Sequence, residues 1–143
     1  MDTAGSGVLV FAGVCCVLAA LAHLACIAIG PAAFRFMGAG ERMARAVEAG
    51  RLQPRLVTLA IAAVLAGWAA YAFSAAGVIG PLPLTGLVLP AVSAVFLVRA
   101  VAFPLLRPVF PENSTTFWFV SSAICLVIGL LFAAGTVGAW PRL

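Results

Sequence analysis

Residues 8–30 read VLVFAGVCCVLAALAHLACIAIG, a stretch with no acidic or basic side chain apart from the single imidazole of His23, and Pro31 follows it. A helix over these residues would be about 35 Å long at 1.5 Å per residue, enough for the roughly 30 Å hydrocarbon core of a bilayer. A helix at the surface of a soluble protein needs a polar face, and this one has none. The stretch therefore predicts a first transmembrane helix stopped by proline. The residues before it carry an acid where a secretory signal would carry bases, and the apolar run is too long for a signal core, so the span is expected to be retained.

Three further stretches have the same character. Leu56 to Ile79 is uncharged, Leu84 to Phe103 contains Pro90 and Arg99 and stops at Pro104, and Phe117 to Gly138 is preceded by Asn113 and Ser114 as candidate caps. Composition agrees: 143 residues, 65% hydrophobic, 8% charged and a mean hydropathy of +1.22 leave too few polar groups to solvate a soluble surface. The expected fold class is all-α, a polytopic membrane protein built as a four-transmembrane-helix bundle. Its spans are 8–30, 56–79, 84–103 and 117–138, in a single membrane domain over 1–143.

Charge orients this object. The net charge is +4 and every cation is Arg, with Arg35, Arg42, Arg45, Arg51 and Arg55 all in the loop 31–55. Adding Arg107 of the third loop gives six on one side against Arg142 on the other. The positive-inside rule then makes loop 31–55 cytoplasmic and both termini periplasmic, in a multi-pass protein. The Arg-, Ala- and Gly-rich composition suggests a bacterial inner membrane. Glu41 and Glu48 interrupt the basic run, so it does not resemble a phosphate track; no nucleic acid is expected, and the lipid bilayer is the expected partner. Asn113-Ser114-Thr115 matches a glycosylation sequon but falls on the cytoplasmic side. Trp118 and Trp140 are about 33 Å apart along a helix, a spacing that suits the two membrane interfaces.

Within the first loop, Glu41 and Arg45 are spaced i,i+4, Arg45 and Glu48 i,i+3, and Met43 and Val47 share the other side. This predicts a short interfacial helix, with the five loop arginines as candidate contacts to anionic lipid head groups. A docking site for a soluble partner is the alternative. Small residues recur every four positions at Ala62, Ala66, Ala70 and Ser74, and at Ser121, Cys125, Gly129 and Ala133. Such stripes allow close helix packing, within the bundle, in a homo-oligomer, or against a membrane-protein partner.

Cys15, Cys16, Cys26 and Cys125 all lie inside spans and form no C-x-x-C pair, which argues against a disulfide framework or a zinc site. Cys16, His23 and Cys26 share an arc of about 100° on one helix, an arrangement open to a metal or haem site or to simple packing. Packing is the better account, since one His cannot supply two axial ligands. No metal and no cofactor is expected.

His23 and Arg99 are the ionisable residues within the spans, where such groups are expensive and usually face the bundle interior. The predicted topology places them about 10 Å and 6 Å from the cytoplasmic ends of their helices, at 1.5 Å per residue. Thr58, Ser121 and Ser122 fall near the same level. These five form a candidate ligand-binding layer, with Trp68 and Tyr71 as candidate cavity wall. Arg99 suits an anionic head group, carboxylate or phosphate, and His23 suits proton exchange. The plainer alternative has Arg99 snorkelling, His23 bonded to a nearby carbonyl, the serines bonded to their own helix, and the two aromatics as core. No Asp or Glu lies within a span, so a catalytic triad, a carboxylate pair and an acidic proton relay each lack a member. No catalytic residue is identified.

Ala22-His23, Gly38 to Ala44 (GAGERMA), Thr58, Trp68-x-x-Tyr71, Leu82-Pro83-Leu84, Arg99 and Ser121-Ser122-x-x-Cys125 together resemble an uncharacterised family of small four-span bacterial inner-membrane proteins. The resemblance covers nearly the whole chain and implies a fold and a membrane, with no activity or site to carry over. The expected function is that of an interaction or accessory helix bundle, more a non-enzyme than an enzyme. The first alternative is a binder or enzyme for a lipid-like or isoprenoid amphiphile that uses the His/Arg layer. The second is a small transporter or channel.

Overall fold

Proline and glycine punctuate the apolar runs, and the helices begin and end at that punctuation. The computed structural model describes residues 3–143. In chain order the helices are α1 (Thr3–Ile29), α2 (Pro31–Phe36), α3 (Glu41–Glu48), α4 (Gln53–Ala75), α5 (Thr85–Val101), α6 (Phe103–Leu106) and α7 (Thr115–Ala139), with a closing 3₁₀ turn at Trp140–Arg142. The described residues contain no strand. Pro31 and Pro54 occupy first turns, where their missing N–H costs nothing. Ser114 caps α7, its Oγ accepting from the Phe117 N–H at 3.0 Å. Asn113 does different work: its Nδ2 donates to the Gly38 carbonyl at 3.1 Å and ties the third loop to the first.

α1, α4 and α7 with its closing turn are long and apolar enough to cross a membrane. α5 has 17 residues and is about 26 Å long, a little under the hydrocarbon thickness. α6 carries on from it after Ala102, in a chain bent by Pro104.

The four longer helices form an antiparallel ring in which α1 packs on α4 and α7, and α5 packs on α7 and, less extensively, on α4. One end of the ring gathers Ser6, Ser74, Thr85 and Arg142 around a shared cavity. The other end gathers the loops: an added Cβ on Gly38 would fall on the Phe117 ring, and Gly38, at φ 75°, holds a left-handed turn that a larger residue would strain. The second and fourth helices therefore run against the first and third.

Leu9, Ala12 and Cys16 of α1, Leu65 and Ala72 of α4, Leu89 and Val92 of α5, and Ile128 and Phe132 of α7 fill the core. Trp68 meets Phe96 edge-on at 5.5 Å between centroids, and Phe96 stacks on Phe132 at 6.1 Å, so one aromatic column links three helices. A second cluster of Cys26, Ala33, Phe34, Ala44 and Val47 seals the loop end and seats α3, the short amphipathic helix expected from its sequence, through Ala44 and Val47.

The small-residue stripes are rotated from their expected places. α4 buries Thr58, Ala62, Leu65, Ala69 and Ala72, leaving Ala66 outside and Ala70 and Ser74 half-buried. In α7 Gly129 of the stripe Ser121, Cys125, Gly129, Ala133 is buried with Trp118, Ser122, Ile128, Phe132 and Gly135, and the other three are half-buried. Both helices bury small residues, Ala62, Ala69 and Ala72 of α4 and Gly129 and Gly135 of α7, and at the two glycines the neighbouring helix comes close.

Candidate functional site

The polar layer is built mainly where α5 meets α7. Arg99 leaves α5 three residues before Ala102 and its Nη2 donates to Ser121 Oγ at 2.7 Å. Its guanidinium carbon lies 5.4 Å from the centroid of the Trp118 ring, a cation–π distance. Trp118 and Ser122, one helical turn apart on α7, are both buried. Arg99 Nη1, Trp118 Nε1 and Ser122 Oγ are buried atoms with no hydrogen-bond partner among the described residues.

His23 and Thr58 are tied to their own helices. His23 is half-buried, with Nδ1 2.7 Å from the Ala19 carbonyl. A carbonyl only accepts, so Nδ1 is the donor in this contact. Thr58 is buried and donates to the Pro54 carbonyl at 2.8 Å. Neither hydrogen-bonds Arg99 among the described residues. The level of His23 follows from the packing of α1 on α7: a Cβ on Gly135 would meet Leu9, and stepping the same number of residues in opposite directions from that contact leads to His23 and Ser121. The two helices thus bring His23 and Ser121 to one height, and α5 adds Arg99 there.

Trp68 and Tyr71 belong to the packed interior and line neither of the two principal cavities. The larger, about 540 Å³, opens at the far end of the bundle among Ser6, Ser74, Leu82, Leu84, Thr85 and Arg142. Its best-placed hydroxyl is already committed: Ser74 Oγ donates to the Gly80 carbonyl and accepts from the Leu82 N–H, both at 2.9 Å. The smaller, about 170 Å³, lies between Arg35, Gly40, Glu41, Glu112 and Asn113 at the loop end.

The five loop arginines separate into two groups. Arg35 grips both Glu41 oxygens at 2.9 Å and reaches Glu48 at 2.8 Å, while Arg45 lies 3.3 Å from Glu41. Arg42, Arg51 and Arg55 are exposed and form no ion pair among the described residues, so they remain available to head groups. Glu112 accepts from the Glu41 N–H, placing a carboxylate at the N-terminus of α3.

The Arg35 guanidinium, with Arg45 beside it, lowers the Glu41 carboxyl from an ordinary 4.5 to about 2 and raises Arg35 in turn. A depressed carboxylate stabilises the fold above its unfolded pKa, and that contribution is lost as pH falls through the folded value. Thermal midpoints in detergent should therefore decline as pH falls from about 4.5 toward 2, and Glu41→Gln should remove that part of the decline. An unchanged slope in Glu41→Gln would show that the network contributes nothing there. The groups are solvent-exposed, so the effect should be small and reduced further by salt.

Two contributors were not singled out from the sequence. Trp118 was assigned to the interfacial belt, although its i,i+4 spacing to Ser122 and one-turn distance from Ser121 put it on the polar face. Ser93 had no local signal at all; its Oγ donates to the Gly129 carbonyl at 2.9 Å and links α5 to α7. Cys16 and Cys26 are not brought together, the first lying in the main core and the second in the loop-end cluster.

No family model, curated protein or solved structure matches this chain.

Proposed function

We propose that the chain is a four-span integral membrane protein that works as an interaction or accessory bundle, associating laterally through the outward face of α4. One observation carries this reading. Ala60, Ala63 and Gly67 are exposed, Ala70 and Ser74 half-exposed, and at i,i+3 and i,i+4 spacing they lie within about an 80° arc outside the packed core. A Cβ added to Gly67 would meet nothing within 4 Å. A smooth furrow of small residues lets a second helix approach backbone to backbone, which is how helices associate when lipid supplies no hydrophobic drive. The occupant is a second copy of this chain or another membrane helix.

Four spans require the α5–α6 unit to cross alongside the three longer helices. Leu87, Val95 and Val98 support this, since they turn exposed apolar surface outward along α5 just as Leu18 does on α1 and Leu130 on α7. The arginine asymmetry supports a cytoplasmic first and third loop, periplasmic termini and a bacterial inner membrane.

Gly67→Leu should fill the furrow without disturbing the fold. In mild detergent or nanodiscs, wild type is expected to cross-link to a copy or co-purify with a membrane partner, and the variant to lose this at least severalfold at unchanged thermal stability. A wild-type chain that stays monomeric and partnerless would overturn the proposal.

A further inference from the structure

We infer that Arg99, Trp118 and Ser122 form a binding site for a phosphate oxyanion at the loop end of the α5–α7 contact. Membrane insertion is assumed, but the α4 contact is not. Arg99 Nη1 and Trp118 Nε1 can only donate hydrogen bonds, Ser122 Oγ can donate, and all three are buried without partners among the described residues. Trp118 is 3% and Ser122 9% exposed, so bulk water does not satisfy them. A buried unsatisfied donor is costly, the more so when, like Nη1 of the half-buried Arg99, it belongs to a cation with no anion beside it.

The counter-charge does not come from the described part of the chain. Its carboxylates are Glu41 and Glu48, held by Arg35 and Arg45, and Glu112, bonded to the Glu41 amide. Arg99 has only a neutral hydroxyl and an aromatic face. Two N–H donors and one hydroxyl, one donor carrying a positive charge, call for a group with several acceptors and negative charge. A phosphate oxyanion is such a group, and Arg is well shaped to hold it. One water can accept only two of these hydrogen bonds and brings no charge.

Depth favours a lipid as the source. Arg99 is two residues from the end of α5 and Trp118 three residues into α7, within about 5 Å of the helix ends, while Ser122 lies about 10 Å in, so the charged end of the site is at the depth of head-group phosphates. Phe103 of the α5–α6 unit and Phe119, next to Trp118 in sequence, pair with centroids 5.8 Å apart, and Phe119 is exposed. Free phosphate would have to arrive from the loop side. The chemistry is the same from either source.

The test uses the full chain in nanodiscs. Native mass spectrometry should find anionic phosphatidylglycerol retained by wild type and lost roughly tenfold or more in Arg99→Gln, as expected when a charge-assisted hydrogen bond is removed. Arg142→Gln, which alters a cation at the opposite end of the bundle, should retain it. In phosphatidylcholine discs, added inorganic phosphate tests the soluble source, read by Trp fluorescence against Trp118→Phe; a response in wild type that is absent from the variant supports the site with free phosphate as ligand. Ser122→Ala is the mild variant, expected to fold normally and to weaken whichever ligand binds severalfold. If wild type, Arg99→Gln and Ser122→Ala retain lipid equally and phosphate produces no Trp118-dependent change, the site does not exist.

Discussion

Phe132→Ala should destabilise the bundle by about 3 kcal/mol, the largest loss expected from any single core truncation here. Phe132 is fully buried on α7 and stacks on Phe96, which in turn meets Trp68, so its removal opens a hole in the column that joins α4, α5 and α7. In a soluble core the cost combines transfer of the ring out of water with the cavity left behind, at roughly 3–5 kcal/mol for Phe→Ala. Lipid tails are as apolar as the core, so the transfer part shrinks and the packing part remains; the lower end of the range applies. The measurement is reversible denaturation in mixed micelles, with Phe119→Ala as control. Phe119 is 61% exposed and should cost close to nothing in the fold. A Phe132→Ala protein as stable as wild type would mean that the aromatic column does not hold the bundle together.

Gly135→Leu should be nearly as damaging by the opposite route. A Cβ at residue 135 would sit 2.6 Å from Leu9 Cγ and 3.4 Å from the Leu9 backbone nitrogen, before the rest of a leucine side chain is added. Leu9 is itself fully buried and has nowhere to move. One turn further, Gly138 and Gly5 bring the two backbones together, with a Cβ on either only 3.2 Å from the other helix's atoms. α1 must therefore separate from α7 along their common length. Overpacking of this kind costs about 1–3 kcal/mol, and the pinned backbones put this case near the top. Leu9→Ala should recover part of the loss in the double variant, a coupling that distant sites would not show. The open furrow at Gly67 offers the contrast: the same substitution there should leave stability unchanged. If Gly135→Leu and Gly67→Leu behave alike, the α1–α7 contact is not as close as drawn.

The helices were legible along the chain because hydropathy and the positions of proline and glycine are local properties. Val8 to Gly30 announced α1, Pro104 announced the end of α5, and Ser114 was one of two caps considered for α7. The amphipathic α3 could be found because Glu41, Arg45 and Val47 carry its two faces within two turns. Of the expected layer, His23, Arg99 and Ser121 lie at one height, since height follows from counting residues along helices of known rise.

Facing is another matter, because an almost wholly apolar helix has no polar side to mark which surface turns inward. Ala62 and Ala66 look equivalent in sequence, yet one is buried and the other open. Trp68 and Tyr71 are half-buried against the core, and His23 and Thr58 bond to their own helices while Arg99 reaches across to α7. Composition and spacing thus determined that the described residues are helical, with helices apolar enough for a membrane, while the ends differ by several residues: α1 begins at Thr3, five before Val8, and α4 ends at Ala75, four before Ile79. Only the fit of side chains between helices decided which residues meet, because in an apolar medium contact shape, with no solvent to discriminate inside from outside, selects the rotation of each helix.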